Sequence, residues 1–294
     1  MSYDLYFRSR EPNSSPVVGE LAAYFQERKN YQVTEKQALY ENEATGVYFI
    51  FDLVSSDEGK QDEFSPVTLN VNYFRPHIFG LETAPEVKAL VDEFNLVVFD
   101  PQTDGLGEGE FTTDGFLNGW NHGNAFAYRA MIEQNREQPL LTLPTARIEE
   151  CWRWNRAKDE LQEQLGDDIF VPRILFIEQA GTVATTVVWP DGIPMAFPES
   201  DVVLIQRKQI LPKRFFRSVE DMVLAARSDV EPIIHDFPLQ QGTVPYRLLS
   251  YTSVPASVVS KLREFPATLD KPNGISVDKI LNQELVEAAR NGAT

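Results

Sequence analysis

The chain has only one cysteine, Cys151, in 294 residues. A lone thiol closes no intrachain disulfide and builds no thiolate-rich zinc or iron–sulfur site, which suits a reducing compartment and points to the cytoplasm. Histidine is also scarce: His77, His122 and His235 lie far apart, without the His-Glu-x-x-His spacing of a zinc hydrolase. No uninterrupted run of apolar residues exceeds five, as at 21–25 and 47–51. A membrane helix takes about 20, so no membrane partner is expected. There is no Gly-x-Ser-x-Gly elbow and no phosphate-cradling glycine loop ahead of a lysine. Neither a catalytic residue nor a metal or cofactor site is therefore expected. Basic residues are the last shortage: 27 Lys+Arg face 44 Asp+Glu, a net charge of −17. Such a surface repels a phosphate backbone, which excludes nucleic acid as the expected partner.

What is present suits an ordinary globular chain, 43% hydrophobic and 24% charged, long enough for two modest domains. Tyr3, Leu5 and Phe7 alternate with polar neighbours, which predicts a first strand rather than a secretory leader. A helical stripe follows at 17–28, then extended stretches at 31–34, 37–41, 46–53 and 67–73. Thr83, Pro85 and Glu86 have the spacing of a helix start, ahead of the stripe Val87, Leu90, Val91 and Phe94, and 96–99 reads as a buried strand. The expected fold is α+β: a mixed or antiparallel sheet with helices on one face, followed by a second, smaller α+β unit. The expected boundary lies in the glycine-rich segment 100–115, giving domains 1–113 and 114–294.

In the second part, helices are expected at 116–134 and 145–165, although Gly119 and Gly123 should weaken the first by about 1 kcal/mol each. The second should turn Ile148, Cys151, Trp152, Leu161 and Leu165 inward, leaving Cys151 an inert buried thiol. A hairpin about Ala180-Gly181, a strand at 202–206, a short helix capped by Ser218 to Asp221 and a last helix at 276–290 complete the reading.

Two near misses carry little chemistry. Asp100, Asp104, Gly105 and Glu108 fall where a calcium loop would want them, but Gln102 and Phe111 stand where further ligands belong. His122, within Trp120-Asn121-His122-Gly123-Asn124, is polar enough for a pocket, but an interhelical hydrogen bond is the expected role. The informative number is the charge of 41–110: fifteen acids face Lys60, Arg75 and Lys88, or −12 of the total −17. A field of that sign steers a basic molecule toward the segment.

Two stretches of the first half, Met1-Ser2-Tyr3-Asp4-Leu5-Tyr6-Phe7 and Gln37-Ala38-Leu39-Tyr40-Glu41-Asn42-Glu43-Ala44-Thr45-Gly46-Val47-Tyr48-Phe49, resemble an uncharacterised family of soluble bacterial proteins. Ile169-Phe170-Val171-Pro172-Arg173 and Val188-Trp189-Pro190-Asp191-Gly192-Ile193-Pro194 resemble its second half. That family is similar to the immunity proteins of polymorphic and contact-dependent toxin systems. The resemblance implies a cytoplasmic, non-enzymatic protein that neutralises one cognate basic toxin, with a nuclease as the first choice. Asp57, Glu58, Asp62 and Glu63 on one loop, with Asp104, Glu108 and Glu110 on another, are the expected toxin-binding acids. The opposing readings are a hydrolase working through carboxylates such as Asp100, Asp104 and Glu108, and a non-catalytic cytosolic scaffold whose charge serves solubility alone.

Overall fold

Strand β1 (Ser2–Ser9) buries Tyr3, Leu5 and Phe7 completely and leaves Asp4, Tyr6 and Arg8 half-exposed. That two-residue period recurs across the whole first sheet. The computed structural model describes residues 1–11, 14–53, 64–102, 105–134, 139–210, 221–268 and 272–291. Helix α1 (Val18–Gln26) is followed by β2 (Tyr31–Val33), β3 (Gln37–Asn42), β4 (Val47–Leu53) and β5 (Val67–Asn72). Then come α2 (Ile78–Glu93), β6 (Leu96–Phe99) and β7 (Glu108–Gly109). The seven strands form one antiparallel sheet in the order β2-β3-β4-β5-β1-β6-β7.

The helices use the buried face of that sheet. Phe25 of α1 stacks on Phe51 at 4.9 Å. In α2 the buried Glu82 carboxylate accepts hydrogen bonds from Tyr40 (2.9 Å), Asn42 (2.6 Å) and Thr45 (3.1 Å), joining the helix to the β3–β4 hairpin. The helix starts at Ile78, five residues before the expected cap at Thr83, and Pro85 lies inside it. Its first turn is held by packing rather than by a capping signature: Ile78 and Phe79 are fully buried, and the Thr83 hydroxyl donates back to the Phe79 carbonyl at 2.7 Å.

Helix α3 (Thr113–Gln134) and the short strand β8 (Thr142–Leu143) come next. The chain divides into two compact units, residues 1–145 with 277–294, and residues 146–276. The boundary expected at 113 therefore falls at 145, because α3 packs on α2 and on the C-terminal segment. That segment is not the single helix expected over 276–290. It forms a 3-10 turn (Val277–Lys279), β17 (Leu281–Asn282) and α7 (Gln283–Arg290), with β17 paired to β8. Tyr128, Ile132, Leu281 and Val286 close a core cluster between α3 and this segment. Asn282 interrupts the helix because its buried amide is already committed to the His77 backbone N–H (2.9 Å) and the Thr145 hydroxyl (3.0 Å).

The second unit opens with α4 (Thr145–Leu165), which turns Ile148, Cys151, Trp154 and Asn155 inward. Trp154 replaces the expected Trp152 because its indole N–H donates to the Pro172 carbonyl at 2.8 Å. Strands β9 (Leu175–Gln179), β10 (Thr182–Pro190), β11 (Met195–Pro198), β12 (Val202–Gln206) and β13 (Met222–Ala226) follow. After them come α5 (Arg227–Ile234), β14 (Leu239–Gln240), β15 (Tyr246–Leu249), α6 (Ala256–Glu264) and β16 (Asn273–Ile275). Ala180 and Gly181 both take positive φ, as the β9–β10 hairpin requires. The five-stranded sheet runs β13-β12-β10-β9-β16, and β11-β15-β14 form a smaller one. Met222 and Val223, expected in a short helix, belong to β13 and pair with Gln206 and Ile205. Most of the expected cap, 218–220, lies outside the described residues.

Candidate protein-docking surface

Of the seven acids expected to bind a toxin, Asp57, Glu58, Asp62, Glu63 and Asp104 lie outside the described residues. Glu108 and Glu110 sit at the β7 edge of the first sheet, and each has its own cation. Arg8 donates to Glu108, and Arg10 grips Glu110 with both terminal nitrogens. That hydrogen bond from Arg10 holds the Glu110 carboxyl below its ordinary range, and the guanidinium charge adds to the effect. The sequence count treated both as net negative charge, whereas the pairing cancels much of it locally.

The strand register places other acids on the face opposite the one that buries Tyr3, Leu5 and Phe7. Direct pairings run Gln37, Asp52, Thr68, Tyr6, Phe99 and Glu108 from β3 to β7. The next row holds Leu39, Ile50, Asn70 and Asp4. At strand spacing the first row is about 24 Å long. Asp4 accepts from Ser2 at 3.0 Å and Asn70 at 2.6 Å, and Asp52 accepts from Gln37 at 2.9 Å. Those partners are neutral. Among the described residues no cation pairs with Asp4, Asp52 or, at the far end of β3, Glu41.

At the centre of the face lies an aromatic trio. The Tyr6 ring is 5.4 Å from Phe64 and 6.3 Å from Phe99, and Phe64 and Phe99 are 5.3 Å apart. All three are half-exposed. The Arg8 guanidinium lies 4.5 Å from the Phe64 ring centre and 5.6 Å from that of Phe99. Sequence reading missed this cluster, although the period of β1 put Tyr6 and Arg8 on the face opposite Tyr3, Leu5 and Phe7, where purely solvated residues would be the norm.

The other residues singled out from the sequence serve packing. Asp100 is buried and accepts from the Tyr3 hydroxyl (2.6 Å) and the Gln102 and Leu106 backbone N–H groups (2.9 and 2.8 Å). Burial, reinforced by that carboxylate, pushes the Tyr3 hydroxyl far above its ordinary range. Asp100 and Glu108, two carboxylates of the hydrolase reading, thus have separate structural partners. Among the described residues His122 makes no interhelical bond of the kind expected: it is exposed, and its Nδ1 lies 3.0 Å from the Asn118 carbonyl one turn back in the same helix, α3. Among the described residues no group of three or more His, Cys, Asp or Glu side chains could hold a metal ion. Nor is any helix there long and apolar enough to cross a membrane.

Cys151 is fully buried, and that burial pushes its thiol up to about 12, only partly opposed by the Arg147 charge. Under native conditions at pH 8 an aromatic disulfide reagent should therefore label no thiol, and one equivalent should react once urea unfolds the chain. Prompt labelling of the folded protein would contradict the burial. Because the folded thiol titrates above its unfolded value of 9.0, its contribution to stability is complete below pH 9 and is lost as pH rises toward 12.

Comparison with known proteins finds no matching family model, no matching curated protein and no matching solved structure.

Proposed function

We propose that this chain is a cytoplasmic, non-catalytic immunity protein that binds one basic bacterial toxin, with a nuclease as the first choice, and blocks its active site. The observation that carries the reading is the outward sheet face, where Asp4, Glu41 and Asp52 have no cationic partner among the described residues. The −12 charge of 41–110 and the resemblance of the strand segments to immunity proteins support it. Complementary charge acts chiefly on the rate of encounter and on the choice of partner, so no chemistry of the chain's own is required.

A large chain with a basic C-terminal toxin module, encoded immediately upstream, is the first expected result, and that module is the probe. Cells expressing the module should survive only when this chain is co-expressed. The purified pair should associate at least ten times faster at 20 mM than at 500 mM salt. Cell death despite co-expression, together with no complex at 20 mM salt, would refute the reading.

A further inference from the structure

We infer that the outward face of the first sheet is a docking platform for an arginine-rich protein segment, with Tyr6, Phe64 and Phe99 at its centre and Asp4 and Asp52 beside them. The inference rests on the inhibitor reading above and specifies the chemistry of the partner's contact. Aromatic side chains concentrate binding energy when they form the centre of an interface that excludes water. Here three of them touch one another, half-exposed, on the face of the sheet opposite the one that buries Tyr3, Leu5 and Phe7.

The chain itself shows what the trio accepts. Arg8 lays its guanidinium against Phe64 and Phe99, and its charge is met at the rim by Glu108. A partner arginine placed one strand across would meet the same combination, with the Tyr6 ring as platform. Asp4 stands two residues along β1 on the same face, and Asp52 lies beyond Thr68 in the same row. Arginine suits the site better than lysine, because its planar cation stacks on a ring while its edge donates to a carboxylate. Four residues of β1 and six strands give a projected face of about 400 Å². A partner contributes about 800 Å² to a standard interface, so the face can form the centre and its flanks the remainder. Anionic partners, nucleic acid and acidic lipid alike, are opposed by the charge of this rim.

The probe is a fluorescein-labelled nona-arginine peptide, followed by anisotropy at 50 mM salt, with nona-lysine for comparison. Three variants are compared with the parent: Tyr6→Thr, which keeps a strand-forming residue; Asp4→Asn with Asp52→Asn; and, as a control, Glu160→Gln with Glu163→Gln on α4. Tyr6→Thr and the Asp4/Asp52 pair should each weaken nona-arginine binding at least fivefold. The α4 pair should change it less than twofold, and nona-lysine should bind the parent more weakly than nona-arginine. Equal losses in all three variants, or none in the Asp4/Asp52 pair, would overturn the platform. The isosteric carboxamides preserve side-chain shape, so the result does not depend on how well Tyr6→Thr folds. The inhibitor reading is scored separately: a Tyr6→Thr, Asp4→Asn, Asp52→Asn chain that still protects cells from the toxin module would refute the platform and leave that reading standing.

Discussion

Asp221→Ala should destabilise the second unit by about 3–5 kcal/mol, the usual cost of stripping one partner from a buried ion pair. Arg207 is almost wholly buried, and one of its terminal nitrogens donates to both Asp221 oxygens at 3.0 and 2.9 Å. The other donates to the carbonyls of Leu262 at 2.9 Å and Phe265 at 2.6 Å, so the guanidinium fastens the end of α6 to the edge of the β12–β13 pair. Alanine would leave that cation buried with neutral acceptors alone. The loss is readable as faster amide exchange at Val203 and Ile205 and as a lower urea midpoint for this unit. Replacing both partners, Arg207→Met with Asp221→Leu, should recover much of it, because desolvation opposes the pair as strongly as attraction favours it. A loss below 1 kcal/mol in Asp221→Ala would mean that the carbonyls alone satisfy the cation.

Asp221 also marks where sequence reading stopped working. Ser218, Val219, Glu220 and Asp221 have the look of a helix start, and the apolar run Met222 to Ala226 has no alternation to argue otherwise. A short continuous apolar run is ambiguous between a buried strand and a buried helix, and here pairing with β12 decides for the strand. In the first hundred residues each strand keeps a clean period of two, because one face is buried and the other is not. The element order there was accordingly legible, while the start of α2 was not, since tertiary packing sets it. The C-terminal helix was misread over its first half for a similar reason. Its spacing suits a helix, but the demands on the Asn282 amide are made by residues more than 130 positions away.

The candidate surface was legible in sign and not in place. Counting acids along 41–110 found the negative segment, but it included Glu108 and Glu110, whose partners Arg8 and Arg10 lie a hundred residues earlier. It also left out Asp4, which strand pairing brings beside Asn70. Linear counting cannot see either event. The register of an antiparallel sheet supplies both once the strand order is known.

Gly123→Ala should destabilise the protein by about 1–3 kcal/mol, although helix propensity alone favours alanine by about 1 kcal/mol. A Cβ at this position would lie 2.0 Å from the Tyr73 hydroxyl oxygen, and one at Gly119 would lie 2.6 Å from that of Tyr3. The two glycines, one turn apart, let α3 approach the sheet closely enough to cover both tyrosines. Tyr73 has little room to retreat: its ring stacks on Trp120 at 5.4 Å, and the Trp120 indole is pressed against Gly80 of α2, where a Cβ would come within 2.3 Å of it. The Tyr73 hydroxyl is buried and has no hydrogen-bond partner among the described residues, so it occupies the contested space without a bond to show for it. Removing the ring should reverse the sign, whereas removing the oxygen alone should not, since the ring carbons Cζ and Cε1 would still lie 2.2 and 2.6 Å from the new Cβ. In a Tyr73→Ala background, Gly123→Ala should become neutral or stabilising by up to about 1 kcal/mol, because only the helix propensity then remains. Thermal or urea unfolding of the four proteins in this cycle measures the coupling. If Gly123→Ala stabilises the parent as much as it stabilises Tyr73→Ala, the glycines are not there for close packing, and the sequence reading of them as simple weak points in α3 would stand.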